Sequence, residues 1–282
     1  MAIKTIDTLV EDIQALMVGG LDTLPKEILD EFSIRLSHTV GSRLVREPRE
    51  FTLRMSNIGK PCIRQLWYEK NYPEQGEQLR AETYTKFLYG DILEDLLLFL
   101  AELAGHTVEG RQDELAIGGI RGHRDCVIDG VLVDVKSAST YSFNKFKSGL
   151  TSDQDSFGYL TQLQSYLHAS QHDDLVRDKR RGAFLVIDKT LGHICLDVHP
   201  YEPYDWEREY ERRINTIDGK EAPPRAFAPV PDGKSGNYKL GVNCSYCPVK
   251  SLCHPGLRTF LYSTGPVYLT RVERLPNVPE LV

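Results

Sequence analysis

The stretch "CVIDGVLVDVKSAST", residues 126–140, constrains the fold of this chain more than any other segment. Asp-Gly between two apolar runs is a strong signal for a two-residue hairpin turn, because both turn positions need a positive φ. If Asp129 and Gly130 are those two residues, Ile128 faces Val131 and the pairing counts outward from there. Asp125 then lies opposite Asp134, and His123 opposite Lys136. Side chains alternate along a strand, so Val131, Val133 and Val135 share one face, and Leu132, Asp134 and Lys136 share the other. Directly paired residues point the same way, with Cβ atoms roughly 4.5–5.5 Å apart.

Two carboxylates that close repel unless a cation lies between them or one holds a proton. Oxygen ligands in this arrangement suit Mg²⁺ or Mn²⁺, which bind through one or two carboxylates together with a substrate phosphate. Lys136 shares the face and is placed to meet developing negative charge or orient a water. The same residues also fit a plainer account, in which Asp125–Lys136 and Asp134–His123 are diagonal surface pairs of little energetic consequence. Asp129 is acidic too, but the turn explains it.

Two further features bear on the choice. In "FLYGDILEDLLLFLAEL", Glu94 follows Gly90 by four residues on a helix whose buried side is marked by Leu93, Leu96, Leu97 and Leu100. A partly buried acid needs a partner, and a metal shared with Asp125 and Asp134 would be one; alternatively Glu94 shares a wet face with Asp95. Gln162 and Tyr166 stand four apart on the helix expected in "SFGYLTQLQSYLHAS", whose apolar stripe is Phe157, Leu160, Leu163 and Leu167, so the two project from one face.

The rest of the chain frames these elements. Residues 5–17 and 25–45 read as helices, with Pro25 at a helix start. Residues 81–104 form a long helix ended by Gly105. A polar loop follows the first hairpin, "GAFLVIDKTLGHICLDVHP" reads as a second hairpin, and a charged helix lies near 203–217. Residues 219–243 look like an irregular connection, and no pattern assigns a role to the tail after Leu257. This order implies an α/β fold, a mixed sheet flanked by helices with a helical amino-terminal annex. The expected division is 1–80, 81–218 and 219–282, integrated as one domain.

Six cysteines remain. Cys244, Cys247 and Cys253 form Cys-x2-Cys-x5-Cys in "CSYCPVKSLCHP", and Cys62 lies 182 positions before Cys244. Four thiolates bind tetrahedral zinc or an iron–sulfur cluster. Zinc ribbons usually use two Cys-x-x-Cys pairs, and only one is present here. Cys126 and Cys195 sit in apolar strand positions and read as core thiols. The amino terminus has acids where a signal peptide needs bases, and "ILEDLLLFLAELAG" is broken by Glu94, Asp95 and Glu102, so neither a leader nor a membrane span is expected. A cytoplasmic location follows, with thiols rather than disulfides. The net charge of −6 argues against a broad nucleic-acid footprint but permits a focused basic groove. Its candidates are Arg43 to Arg54, Lys145 and Lys147 in "NKFKSG", and "RDKRRG" at 177–182.

In order along the chain stand Gly-x-x-x-Glu (90–94), Gly-x-x-Asp (122–125), Asp-x-Lys (134–136) and Gln-x-x-x-Tyr (162–166). This set resembles the PD-(D/E)xK nuclease superfamily and its RecB-like exonuclease branch, through about residues 85–170. The resemblance implies a restriction-endonuclease-like fold in which Glu94, Asp125, Asp134 and the Val135 carbonyl bind Mg²⁺ or Mn²⁺. It further implies that Lys136 assists attack by water while Gln162 and Tyr166 support the lysine and the DNA strand. Many RecB-like members carry His where this chain has Glu94; lambda-exonuclease-like branches carry an acid. The one-plus-three cysteines resemble the iron–sulfur nucleases related to AddB and to the CRISPR-adaptation exonuclease, which implies a 4Fe–4S cluster on Cys62, Cys244, Cys247 and Cys253. The implied activity is exonucleolytic hydrolysis of DNA from single-stranded ends in a bacterial or phage-infected cell, with Trp67, Tyr68 and Tyr166 available to stack on bases. Recombination or CRISPR-related proteins are the implied partners. The competing readings are a non-catalytic DNA-binding or scaffolding subunit, and a zinc-stapled endonuclease.

Overall fold

The computed structural model describes residues 4–45, 51–78 and 81–281. The amino-terminal helices are α1 (Leu9–Gly19), α2 (Lys26–Leu44), α3 (Met55–Ile58), α4 (Ile63–Asn71) and α5 (Ala81–Leu103). Strands β1 (Val108–Glu109), β2 (Glu114–Ile117), β3 (Ile120–His123), β4 (Cys126–Ile128) and β5 (Val131–Ala138) follow. Helices α6 (Thr140–Lys147) and α7 (Tyr159–Ala169) lead to β6 (Arg181–Asp188), β7 (Ile194–Pro200) and α8 (Trp206–Ile217). The carboxy-terminal part comprises β8 (Val230–Pro231), β9 (Tyr238–Lys239), α9 (Val242–Ser245), α10 (Lys250–Cys253), β10 (Arg258–Tyr262), β11 (Gly265–Arg271) and β12 (Glu280–Leu281).

The principal sheet has the order β1-β4-β5-β6-β7. Its β5–β6 pairing is parallel and the other pairings are antiparallel, so it is mixed. The hairpin turns where expected: Asp129 and Gly130 have φ of 50° and 84°, and Ile128 pairs with Val131, Val127 with Leu132, and Cys126 with Val133. Both faces of the two central strands are covered. Val131, Val133, Val135, Ala183, Leu185 and Ile187 join α1 and α5 in one core. Leu132, Phe184 and Val186 join Leu163, Tyr166 and Leu167 of α7 and Tyr210 of α8 in the other. Each such aliphatic side chain contributes roughly 1.5–3 kcal/mol when fully buried, so the two cores fix the sheet against slippage.

Four local expectations change. His123 does not sit opposite Lys136; it pairs with Glu114 in a separate β2–β3 hairpin. The strand breaks because the buried Arg124 turns its guanidinium to Asp113 (Nη2–Oδ2, 2.6 Å), Asp173 and the Gly110 carbonyl (3.1 Å). The segment read as a polar loop contains α6, started by Ser139, whose Oγ accepts from the Ser142 amide. Phe157 precedes α7 rather than joining its stripe, because Gly158 at φ 81° is the helix cap. The tail after Leu257 builds the β10–β11 hairpin of a second sheet, ordered β12-β10-β11-β9-β8. The alternation in "RTFLYSTGPVYLTR" is the signal that marks this hairpin in the sequence.

Asp129 does more than turn the chain. Its Oδ2 lies 2.7 Å from Nδ1 of the buried His106, and its Oδ1 accepts from the Thr107 amide at 3.0 Å. His106 in turn faces Asp12 of α1 at 3.2 Å, so the turn is tied to the amino-terminal helix. Asp129→Asn preserves the Asn-Gly turn but weakens the imidazole contact. The expected outcome is a loss of about 1.5–3 kcal/mol in denaturant unfolding with an unchanged active site; full wild-type stability would show the carboxylate to be dispensable.

Candidate active site

The site forms on the α7-facing side of β5. The hairpin register ends at Cys126–Val133, and Asp125 follows directly outside it. Asp125 reaches across to β5, where its Oδ2 accepts the Val135 amide at 2.7 Å. Asp134 forms an ion pair with Lys136, and its Oδ1 accepts from Gln162 Nε2 at 3.2 Å. Asp134 Oδ2 is buried with no polar partner beyond that ammonium. Gln162 therefore supports Asp134 rather than the lysine.

Glu94 enters from α5. Its Oε1 accepts from Gln112 Nε2 at 3.0 Å, whereas Asp95 is turned away to Thr39 of α2 (2.6 Å). The two acids, about 100° apart on the helix, thus have different partners, and Glu94 is turned into the site rather than toward α2 with Asp95. Each motif glycine has a steric reason. A Cβ at Gly90 would lie 3.3 Å from Ser137 Oγ, and one at Gly122 would lie 2.5 Å from Tyr166 Oη and 2.7 Å from Met55 Cβ. Without side chains at those positions, α5 approaches β5 and Tyr166 approaches β3.

Burial and mutual repulsion govern the charges. Desolvation, then the charge of Asp125, push the Glu94 carboxyl up to about 9 against the opposing pull of Lys136. Desolvation and Asp134 likewise push Asp125 up to about 7, although Lys136 and the Val135 amide pull it down. Lys136 is held charged: burial works against its ammonium, but Asp134 and Asp125 outweigh that penalty. Tyr166 is pushed up by burial and by Asp125 and Asp134.

A comparison with protein families matches residues 29–254 to the PD-(D/E)XK nuclease superfamily. The chain belongs to that superfamily. Comparison with curated proteins gives no match. Among solved structures, the crystal structure of SSO0001 is similar over 78% of this chain and 95% of that one, at 18% identity and a TM-score of 0.41. The family match spans most of the chain and takes in the whole of the principal sheet.

Among the described residues no three His, Cys, Asp or Glu side chains are already gathered as a formed metal site. The donors nevertheless suit a divalent cation: oxygen ligands only, two of them carboxyls whose proton affinity is raised by burial and by neighbouring acids, and one buried oxygen whose sole partner is the Lys136 ammonium. The four cysteines assigned to a cluster also come together. Cys62, Cys244, Cys247 and Cys253 line one cavity with Arg64, Tyr68, Lys250 and His254. Burial, then the neighbouring Cys62 and Cys253, push the Cys244 thiol up, and burial pushes Cys247 to about 12. Thiols so disposed fit a cationic group that takes them as thiolates. Cys126 is buried in the core shared with α1 and α5, and Cys195 packs half-buried against the other core.

Two residues at the site escaped sequence reasoning. The Tyr159 ring lies 5.4 Å from Lys136 Nζ; its spacing of three and seven residues from Gln162 and Tyr166 on α7 is the signal that marks it. Gln112 adopts a φ of 57° in the loop before β2, and no pattern in the sequence distinguishes it. The aromatic residues expected to stack on bases do not all serve. Trp67 is buried with its indole donating to the Gly219 carbonyl (2.7 Å), and Tyr166 is buried beside Gly122. The basic candidates are largely engaged as well. Arg177, Arg180 and Arg181 pair with Glu109, Asp178 and Asp7, Arg43 pairs with Asp91, and Lys145 donates to the Gln154 carbonyl. Residues 46–50 of the first basic stretch lie outside the described residues.

The carboxyl shifts fix a pH dependence. Glu94 and Asp125 bind protons more tightly in the folded chain than at their ordinary values of 4.5 and 3.8. Below those ordinary values both states are protonated and the shifts have no effect on stability. As pH rises through the window up to about 9, the folded state retains protons that the unfolded state has lost, so stability falls. The melting temperature in EDTA should drop between about pH 5 and about pH 9, with Glu94→Gln removing the upper part of that drop. A wild-type profile no steeper than that of Glu94→Gln contradicts the assignment.

Proposed function

We propose that this protein is a Mg²⁺- or Mn²⁺-dependent deoxyribonuclease that acts exonucleolytically on single-stranded ends. The observation that carries the reading is the cluster of Glu94, Asp125 and Asp134 around a half-buried, charged Lys136, within a chain of this superfamily. Glu94, Asp125, Asp134 and the Val135 carbonyl would hold the cation. That cation, when bound, supplies Lewis-acid stabilisation of the phosphodiester and of the departing oxygen.

The chain's own residues supply the rest. Lys136 is kept protonated by its carboxylate neighbours, so it meets negative charge developing on the phosphoryl oxygens and helps orient the attacking water. Gln162 fixes Asp134 through Oδ1, and the Val135 amide fixes Asp125 through Oδ2. Tyr159 places a π-face near the lysine, which favours the charged form in a half-buried setting.

We assign a 4Fe–4S cluster to Cys62, Cys244, Cys247 and Cys253, on the strength of their spacing and their shared cavity. It would close 1–80 and 219–282 around the nuclease core at 81–218. Polar contacts lie along the same seam: the Glu77 amide donates to the Pro248 carbonyl at 2.7 Å, Lys250 pairs with Glu77, and Arg225 Nε donates to the Cys253 carbonyl at 3.1 Å. Among the described residues no helix is long and apolar enough to cross a membrane.

Asp134→Ala is expected to lower Mn²⁺-dependent cleavage of end-labelled single-stranded DNA by at least about 100-fold while retaining DNA binding. Cleavage at the wild-type rate removes Asp134 from the mechanism. Anaerobically purified protein is expected to absorb near about 400 nm, and Cys247→Ser to lose both that band and several degrees of melting temperature. A colourless wild type of equal stability overturns the cluster.

A further inference from the structure

The exposed aromatic residues of this chain are not scattered evenly. Phe157 (45% exposed) and Tyr246 (73% exposed) stand 6.3 Å apart, centroid to centroid, at an interplanar angle of 62°. With Phe227, Lys60, Gln65, Ser156 and Asn243 they line a cleft of about 150 Å³. Large aromatic rings left exposed on a monomer mark binding surfaces when they cluster.

These rings are also held in place. The Asp155 carboxylate accepts the amides of Phe157 (3.2 Å), Gly158 (2.9 Å) and Leu160 (2.8 Å), which fixes the backbone that carries Phe157. Asn243 Nδ2 donates to the Ser156 carbonyl at 3.0 Å, which joins the two walls of the cleft. A Cβ on Gly158 would lie 3.0 Å from the Gly59 carbonyl oxygen, so the α3–α4 connection presses on the same loop.

Ring contacts link the wall of the cleft to the active site. Phe157 lies 5.6 Å from Tyr159, centroid to centroid, and the Tyr159 ring lies 5.4 Å from Lys136 Nζ. A strand whose phosphodiester sits at Lys136 therefore has a run of rings, Tyr159, Phe157, Tyr246, along which its neighbouring nucleotides can extend. Aromatic rings are suited to unstacked bases because every base offers a π-face, and a base already paired in a duplex cannot use them. The amides of Gln65 and Asn243 and the ammonium of Lys60 give the cleft a polar margin. Lys60 is held only loosely, by Glu69 at 3.7 Å, which leaves it able to meet a phosphate.

We propose that the cleft lined by Phe157 and Tyr246 is a subsite where one unpaired base of a single-stranded polynucleotide stacks on an exposed ring face, a few nucleotides from the bond that is cut. The proposal rests on the nuclease reading of the adjacent site. It assigns to Phe157 and Tyr246 the stacking that the sequence suggested for Trp67 and Tyr166.

The experiment measures binding of a fluorescein-labelled short single-stranded oligodeoxynucleotide in Ca²⁺, with one abasic (tetrahydrofuran) residue scanned along it. Wild type is expected to lose about ten-fold in affinity when the abasic residue occupies one position. Phe157→Leu is expected to bind intact DNA about ten-fold more weakly and to show no further loss at that abasic position. Phe157→Tyr retains affinity within about two-fold because it keeps the ring. Tyr204→Leu, at an exposed tyrosine outside the cleft, leaves affinity and cleavage unchanged.

Equal binding by wild type and Phe157→Leu overturns the subsite. So does an equal loss in Phe157→Leu and Phe157→Tyr, or abasic and side-chain losses that add. If Phe157→Leu does not fold, Tyr246→Leu supplies the same comparison. Mn²⁺-dependent cleavage by wild type is scored separately. Cleavage without an abasic-sensitive position sinks the subsite alone, and abasic-sensitive binding without cleavage sinks the nuclease reading while the subsite stands.

Discussion

The register of the β4–β5 hairpin is the constraint on which the site depends. Asp129 and Gly130 both take positive φ, and the two-residue turn they make leaves one way to pair the strands. A slip of one residue would carry Asp134 and Lys136 into the apolar core formed with α1 and α5, and would carry Val133 and Val135 out of it. Burying two charges there without their partners costs more than any alternative pairing returns. The turn is reinforced from outside the sheet, because His106 ties Asp129 to Asp12 of α1.

With the register set, the site becomes a problem in charge balance. Three acids and one lysine share a half-buried volume, and the outcome differs for each. Lys136 gains from two carboxylates and stays charged; Glu94, pushed up chiefly by burial and then by Asp125, holds its proton most tightly. Neutral groups then fix the geometry: Gln112 on Glu94, the Val135 amide on Asp125 and Gln162 on Asp134. Such crowding of acids is unfavourable for the fold alone and is the kind of strain a bound cation relieves.

Segments from the amino- and carboxy-terminal parts of the chain meet at the cysteine-lined cavity. Cys62 lies just before α4, and the other three cysteines lie on and between α9 and α10. The intervening segments are held by Arg213, whose guanidinium donates to the Ile58 and Lys60 carbonyls, and by Arg64, which donates to the Ala222 carbonyl at 3.3 Å. The same α3–α4 connection presses on the start of α7, so the cysteine region, Phe157 and Gln162 share one mechanical framework.

The sequence by itself determined the turn, the pairing as far as Cys126 opposite Val133, the helix that carries Gln162 and Tyr166, and the chain positions of the acids, because turn chemistry and side-chain period are local properties. It also marked the one-plus-three cysteines through their spacing. Tertiary structure decided what lies against each face. The strand break at Arg124 depends on Asp173, forty-nine positions away, and it moved His123 out of the site. Both faces of β5 are covered, so alternation in the sequence did not distinguish core from solvent; Asp134 is buried and Lys136 half-buried beside α7 rather than exposed opposite the valines. An aromatic residue in a sequence carries no sign of its exposure. Trp67 and Tyr166 were drawn into the interior by Gly219 and Gly122, while Phe157 and Tyr246 were left at the surface, because burial is set by which distant segments pack together.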